Sequence, residues 1–167
     1  SAAIDLVVED WEVASNWPWS GSGQAPWFET TATAYSGTAS MQSGGIGANA
    51  VSELSLEVTL NNFGVVSFAR SVSSEAGFDY LRFYVDGEEK AAWSGEVPWG
   101  ESSFVVFGGT HTLTWAYEKD EIVSEGQDAA WVDQIILPAN ATVLSVETAQ
   151  RSVEWQLSPN PASDRVA

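Results

Sequence analysis

Three kinds of side chain in this sequence could do chemistry: a few placed carboxylates, a single histidine and a large set of tryptophans. Asp133 stands alone inside the apolar run Ala130 to Leu137, AWVDQIIL. An ionised carboxylate in apolar company is costly unless a partner or a metal compensates it. By strict alternation Asp133 shares a face with Trp131, Ile135 and Leu137, so it needs backbone donors, a cation or water. His111 alternates with Leu113 and Trp115, which favours a satisfied structural histidine over a general base. Glu75 with Asp79, or Asp120 with Glu121, could in principle be the two carboxyls of a glycosidase, which stand roughly 5–9 Å apart across a cleft. Near neighbours in sequence are a poor substitute for that cleft. No nucleophile elbow, zinc-protease helix or phosphate loop motif occurs. No catalytic residue is therefore assigned.

The tryptophans suggest binding. An indole face packs against the CH groups of a sugar ring while neighbouring carboxylates and amides take its hydroxyls. Trp17, Trp19 and Trp27 lie in a stretch rich in Ser, Gly, Asn and Pro, and Trp99 follows a proline in SGEVPWGE, Ser94 to Glu101, which reads as a loop. These four are the candidate ligand-binding residues, against the alternative that they fold inward as a lid. Trp115 and Trp131 sit in patterned strands and read as core, whereas Trp93 ends a strand.

The elements that must hold these residues are strands. Leu54, Leu56, Val58 and Leu60 alternate with Glu53, Ser55, Glu57 and Thr59, one dry face and one wet. Val65 to Val72, Phe78 to Val85, Lys90 to Trp93, Phe104 to Phe107 and Thr110 to Tyr117 continue the series, and Asp86-Gly87 marks a tight hairpin. Ile4 to Val8 reads as a first strand delivering Glu9 and Asp10 to a loop, with short strands from Phe28 to Tyr35 and Ala39 to Gln42. Short strands, frequent turn signals and no helical period predict an all-β fold, an antiparallel β-sandwich of jelly-roll type.

The chain has 167 residues, enough for one domain with a core. We expect that domain over residues 1–138 and a linker with a tail over 139–167. Acidic residues number 23 against 6 basic ones, a net charge of -17 that repels nucleic acid and anionic membranes. Cysteine is absent, which removes disulfides and thiolate chemistry. The N-terminus lacks the basic and apolar regions of a signal peptide, a pattern compatible with a signal already removed and with a piece of a longer chain.

Two resemblances follow from particular motifs. Glu9, the Trp27-Phe28 pair, SGTASMQSG, VSF at 66–68, SVSSEAGFDYLRFYVDG, WSGEVPW, GTHTLTWAYEKD and DAAWVDQIILP together resemble a bacterial MAM-like domain, the group that includes the cleaved-adhesin domains of gingipains. The resemblance implies a non-catalytic module for adhesion or glycan contact, with structural calcium as a cofactor. The family's Glu near the first strand matches Glu9 and its Asp in the last strand matches Asp133, with Asp10 as a further ligand; a hard cation would take these oxygens and more. SPNPASD at 158–164 resembles the opening of the C-terminal sorting domain of type IX secretion substrates in Bacteroidetes, here truncated. It implies an extracellular or cell-surface location. The expected function is a ligand-binding module whose partner is a glycan or another cell-surface ligand. The alternatives are a spacer or assembly domain touching other domains of a larger parent chain, and a small glycoside hydrolase.

Overall fold

The computed structural model describes residues 7–143; the sorting-tail motif and most of the 139–167 segment lie outside the described residues. Among the described residues, twelve strands form two six-stranded antiparallel sheets, the predicted sandwich. One sheet runs in the order β3 (Phe28–Thr30), β4 (Ser40–Gln42), β11 (Ala129–Leu137), β6 (Gly64–Ser73) and β9 (Glu96–Val106), with β1 (Val7–Glu9) also on β11. The other runs β12 (Ala141–Thr142), β5 (Val51–Leu60), β10 (Gly109–Glu118), β7 (Tyr80–Val85) and β8 (Glu88–Ser94), with β2 (Ser20–Gly23) also on β5.

The alternating pattern of β5 does what period 2 requires: Leu54, Leu56, Val58 and Leu60 are buried. They meet Val66, Phe68, Val132, Ile135 and Leu137 of the facing sheet in one core. At its centre the rings of Phe68, Phe83 and Trp115 lie 4.9–5.4 Å apart in tilted and edge-on pairs, geometry that adds to the gain from burial alone. Asp86 and Gly87 both have positive φ, 53° and 81°, as the tight turn between β7 and β8 requires.

Two departures from the sequence pattern position the functional side chains. Ser94 to Glu101 is not an exposed loop. After a turn at Gly95 (φ 83°), β9 begins at Glu96 and runs straight through Pro98 and Trp99. Pro98 is tolerated because β9 is the edge of its sheet, where a missing N–H costs no ladder bond. The second departure is in β11. Its pairing with β6 shifts between Asp133 and Ile136, and Gln134 takes a φ of 49°. This bulge inverts the alternation. Ala130 and Val132 before it and Ile135 and Leu137 after it all belong to the core, whereas Trp131 does not. Asp133, next to Val132, therefore faces away from the core on the side of Trp131, and the parity that grouped it with Ile135 and Leu137 is corrected.

Candidate functional site

The outward side of the β11-β6-β9 sheet carries the side chains the core does not use. Trp131 is paired in register with Ser71, and Ser71 lies opposite the Pro98-Trp99 stretch, since its neighbours Arg70 and Val72 pair with Gly100 and Val97. The next row is Asp133, Ala69 and Glu101. Trp131 is buried yet stands outside the core, with its Nε1–H donating to Gln42 Oε1 at 3.0 Å. Trp99 is half-buried.

A strap from Thr33 to Ser36 crosses this face and explains Asp133. The N–H groups of Tyr35 and Ser36 donate to Asp133 Oδ2 at 2.9 and 3.1 Å, and the N–H of Gln134 donates to Oδ1 at 2.7 Å. Burial pushes the Asp133 carboxyl above its ordinary range, and these three donors oppose that shift. The other end of the strap is held by side chains. Trp99 Nε1–H donates to Thr33 Oγ1 at 2.9 Å, and the Tyr35 phenol donates to Glu101 Oε2 at 2.7 Å. That bond holds the phenol above its ordinary pKa, so it remains a donor. The Tyr35 and Trp99 rings stand 6.1 Å apart at 51°, with Tyr35 exposed. Beside them a shallow open pocket of about 190 Å³ is lined by Ser71, Ser73, Glu96, Pro98, Gln127 and Trp131, among others.

The other predicted tryptophans are placed differently. Trp27 is 6 % exposed, belongs to the core and donates its Nε1–H to the Ser52 carbonyl at 2.9 Å. It has no free face to offer, which corrects its assignment as a binding residue. Trp17 and Trp19 are half-buried against the core, stacked at 6.0 Å, and Trp19 continues inward to Trp11 and Trp115 at 5.6 and 5.9 Å. The turn-rich stretch thus folds inward as a lid. Of the four candidates, Trp99 alone lies off the core.

Glu9 is the carboxylate that holds this lid. It is 6 % exposed and accepts from Trp11 N at 3.2 Å, from Trp19 Nε1 at 3.0 Å and from the Ser15 hydroxyl. Asp10 accepts from the N–H of Glu12 at 3.2 Å. Glu9 pairs with Ile135, a core residue, and Asp133 faces the opposite side of the same sheet. Glu9, Asp10 and Asp133 are therefore not gathered into one site, and the oxygens of Glu9 and Asp133 are met by N–H and O–H donors. These three residues do not fit a shared calcium ion. Among the described residues, the carboxylates whose oxygens come together within 4.8 Å are Glu75, Asp79 and Asp120.

Both nitrogens of His111 are held by acceptors. Its Nδ1 is 2.6 Å from Asp86 Oδ2 and its Nε2 is 2.9 Å from the Phe107 carbonyl, so both nitrogens are donors in the imidazolium. The Asp86 bond, above all, raises its pKa from the ordinary 6.5. A raised pKa means the contribution to stability is complete below about pH 6.5 and is lost as pH rises through the folded-state value. Warming the protein at pH 6 and at pH 8.5 should show lower stability at the higher pH, by about 0.5 kcal/mol since Asp86 is half-exposed. His111→Gln should flatten that difference.

The sequence pattern did not indicate Tyr35, Thr33 or Glu101. The spacing of Trp99 and Glu101, two apart and so on one face of a strand, would have paired them had residues 96–106 been read as a strand.

No protein-family model and no curated protein matches this chain. Solved structures do. A cleaved adhesin domain of Lys-gingipain from Porphyromonas gingivalis superposes with a TM-score of 0.61 at 13% identity, covering 81% of this chain and 99% of that one. A xylan-binding domain from Paenibacillus barcinonensis matches with a TM-score of 0.52 at 18% identity, covering 87% and 99%. A secreted serine protease from Vibrio cholerae matches with a TM-score of 0.57 at 20% identity over 74% of this chain, which spans only 25% of that protein. The chain thus has the β-sandwich fold seen in adhesin domains and carbohydrate-binding modules.

Proposed function

We propose that this domain is a non-catalytic module that binds a neutral glycan on the outward face of the β11-β6-β9 sheet, in an extracellular or surface protein. The observation that carries this reading is Trp99, the one candidate tryptophan held off the core, braced against Thr33 and set beside Tyr35 and Glu101. Two aromatic rings offer faces to sugar CH groups. The adjoining Ser71, Glu96 and Gln127 offer the acceptors and donors that sugar hydroxyls need. Glu96 and Glu101, within a net charge of -17, disfavour acidic sugars. The fold likeness to a xylan-binding domain and a cleaved adhesin domain supports the same reading, as does the secreted nature of the Vibrio protease for the location.

The test is an array of neutral and acidic glycans probed with the whole chain, followed by titration calorimetry on the ligands found. Trp99→Ala should weaken binding about tenfold or more, the loss of an aromatic contact worth on the order of 1–2 kcal/mol, with the melting temperature changed by only a few degrees. Full affinity in Trp99→Ala, or selective binding of acidic glycans, would remove this reading and leave a spacer or assembly role.

A further inference from the structure

Glu75, Asp79 and Asp120 meet at one end of the sandwich, and none of them takes part in the aromatic face. Glu75 and Asp79 belong to the β6–β7 connection, where the N–H groups of Phe78 and Asp79 both donate to the Glu75 carbonyl at 3.3 and 3.1 Å. Asp120 lies near the start of the β10–β11 connection, and its N–H donates to Asp79 Oδ1 at 3.0 Å. The three side chains can each bring one oxygen within 4.8 Å of the others. Asp79 is 0 % exposed, and its second oxygen, Oδ2, has no hydrogen-bond partner; Glu75 Oε1 is likewise buried and unpartnered. A buried carboxylate oxygen without a donor is expensive.

Lys119 is the nearest cation, but its ammonium lies 3.8 Å from Asp79 Oδ2 and is committed elsewhere. It donates to Ser124 Oγ and to Asp128 Oδ2, both at 2.5 Å. Asp128 takes the closer ion pair with Lys119, so one shared ammonium, 3.8 Å from Asp79 Oδ2, is the cation facing three converging carboxylates. Burial first, and then repulsion from Asp120, Asp79 and Glu125, raises the Glu75 carboxyl against the pull of Lys119; burial likewise raises that of Asp79, against the Asp120 N–H and Lys119.

We infer that Glu75, Asp79 and Asp120 form a binding site for one hard divalent cation of the calcium class, which ties the β6–β7 connection to the β10–β11 connection. Oxygen-only ligands at this density suit calcium or magnesium rather than a softer metal. Water and neighbouring carbonyls would complete the six to eight oxygens calcium takes.

The experiment uses the whole chain, stripped with chelator and titrated with calcium chloride and with magnesium chloride by calorimetry and by thermal melting. One ion should bind and raise the melting temperature. Glu75→Gln and Asp120→Asn, which keep size and the backbone N–H bond to Asp79, should each weaken that ion at least tenfold, while Asp10→Asn leaves its affinity unchanged. If one variant does not fold, the other carries the comparison. The site is refuted if neither ion binds the stripped protein, or if both variants bind with the affinity of the parent chain.

Discussion

Trp27→Ala is expected to lower the unfolding free energy by about 3–5 kcal/mol, the cost of truncating a buried tryptophan. The indole is 6 % exposed, lies in the common core and closes a hydrogen bond to the Ser52 carbonyl at 2.9 Å. Its removal leaves both a cavity and an unsatisfied acceptor at a point where chain segments are knotted together: Ser52 Oγ also donates to the Ala25 carbonyl at 2.7 Å and accepts from Gly44 N at 3.0 Å. Urea denaturation reads the loss directly. Trp99→Ala in the same assay should change stability by no more than about 1 kcal/mol, because its side chain is not part of the core. Equal losses at the two positions would mean that the division between core and face is wrong.

Asp133→Ala should cost about 3 kcal/mol or more. Its carboxylate is 0 % exposed and accepts three backbone N–H groups, two of them from the strap at Tyr35 and Ser36. Each of these part-buried donors left without a partner costs about 1 kcal/mol or more, offset in part because burial of the charge itself is unfavourable. Asp133→Asn keeps one acceptor for the strap and should lose less. Since the strap brings Tyr35 to Trp99 and Glu101, the alanine variant should also bind glycan more weakly, whereas its response to chelator should match that of the parent chain. A chelator response that disappears with Asp133 would instead assign the cation to that residue.

The sandwich was legible because its long strands alternate cleanly. Leu54, Leu56, Val58 and Leu60 bury one face as period 2 demands, and Leu113, Trp115 and Tyr117 do so in β10. The face that carries Trp99 was harder to see, for two local reasons. A proline at position 98 looks like a loop signal, and only the sheet order reveals an edge strand that can hold it. The bulge at Gln134 inverts the alternation inside β11, so a carboxylate that strict alternation groups with Ile135 and Leu137 turns to the other side of the sheet. Pairing across 98 residues, as between Tyr35 and Asp133, leaves no local pattern at all. The tryptophans misled for a related reason: Gly, Ser and Pro around Trp17, Trp19 and Trp27 mark an irregular path, but irregular chain folds inward when it carries its own polar anchor. Glu9 is that anchor, taking the Trp11 N–H, the Ser15 hydroxyl and the Trp19 indole N–H.

On the proposed reading, ligand is held at Trp99 and not at the lid. The most direct measurement is a titration of the isotopically labelled chain with soluble neutral oligosaccharides of the xylo, gluco and galacto series, following the indole N–H signals by nuclear magnetic resonance. At least one series should shift the Trp99 signal, together with the backbone signals of Tyr35, Ser71 and Gln127, while those of Trp19 and Trp27 stay in place. Shifts centred on Trp17 and Trp19, with Trp99 unmoved, would contradict that reading.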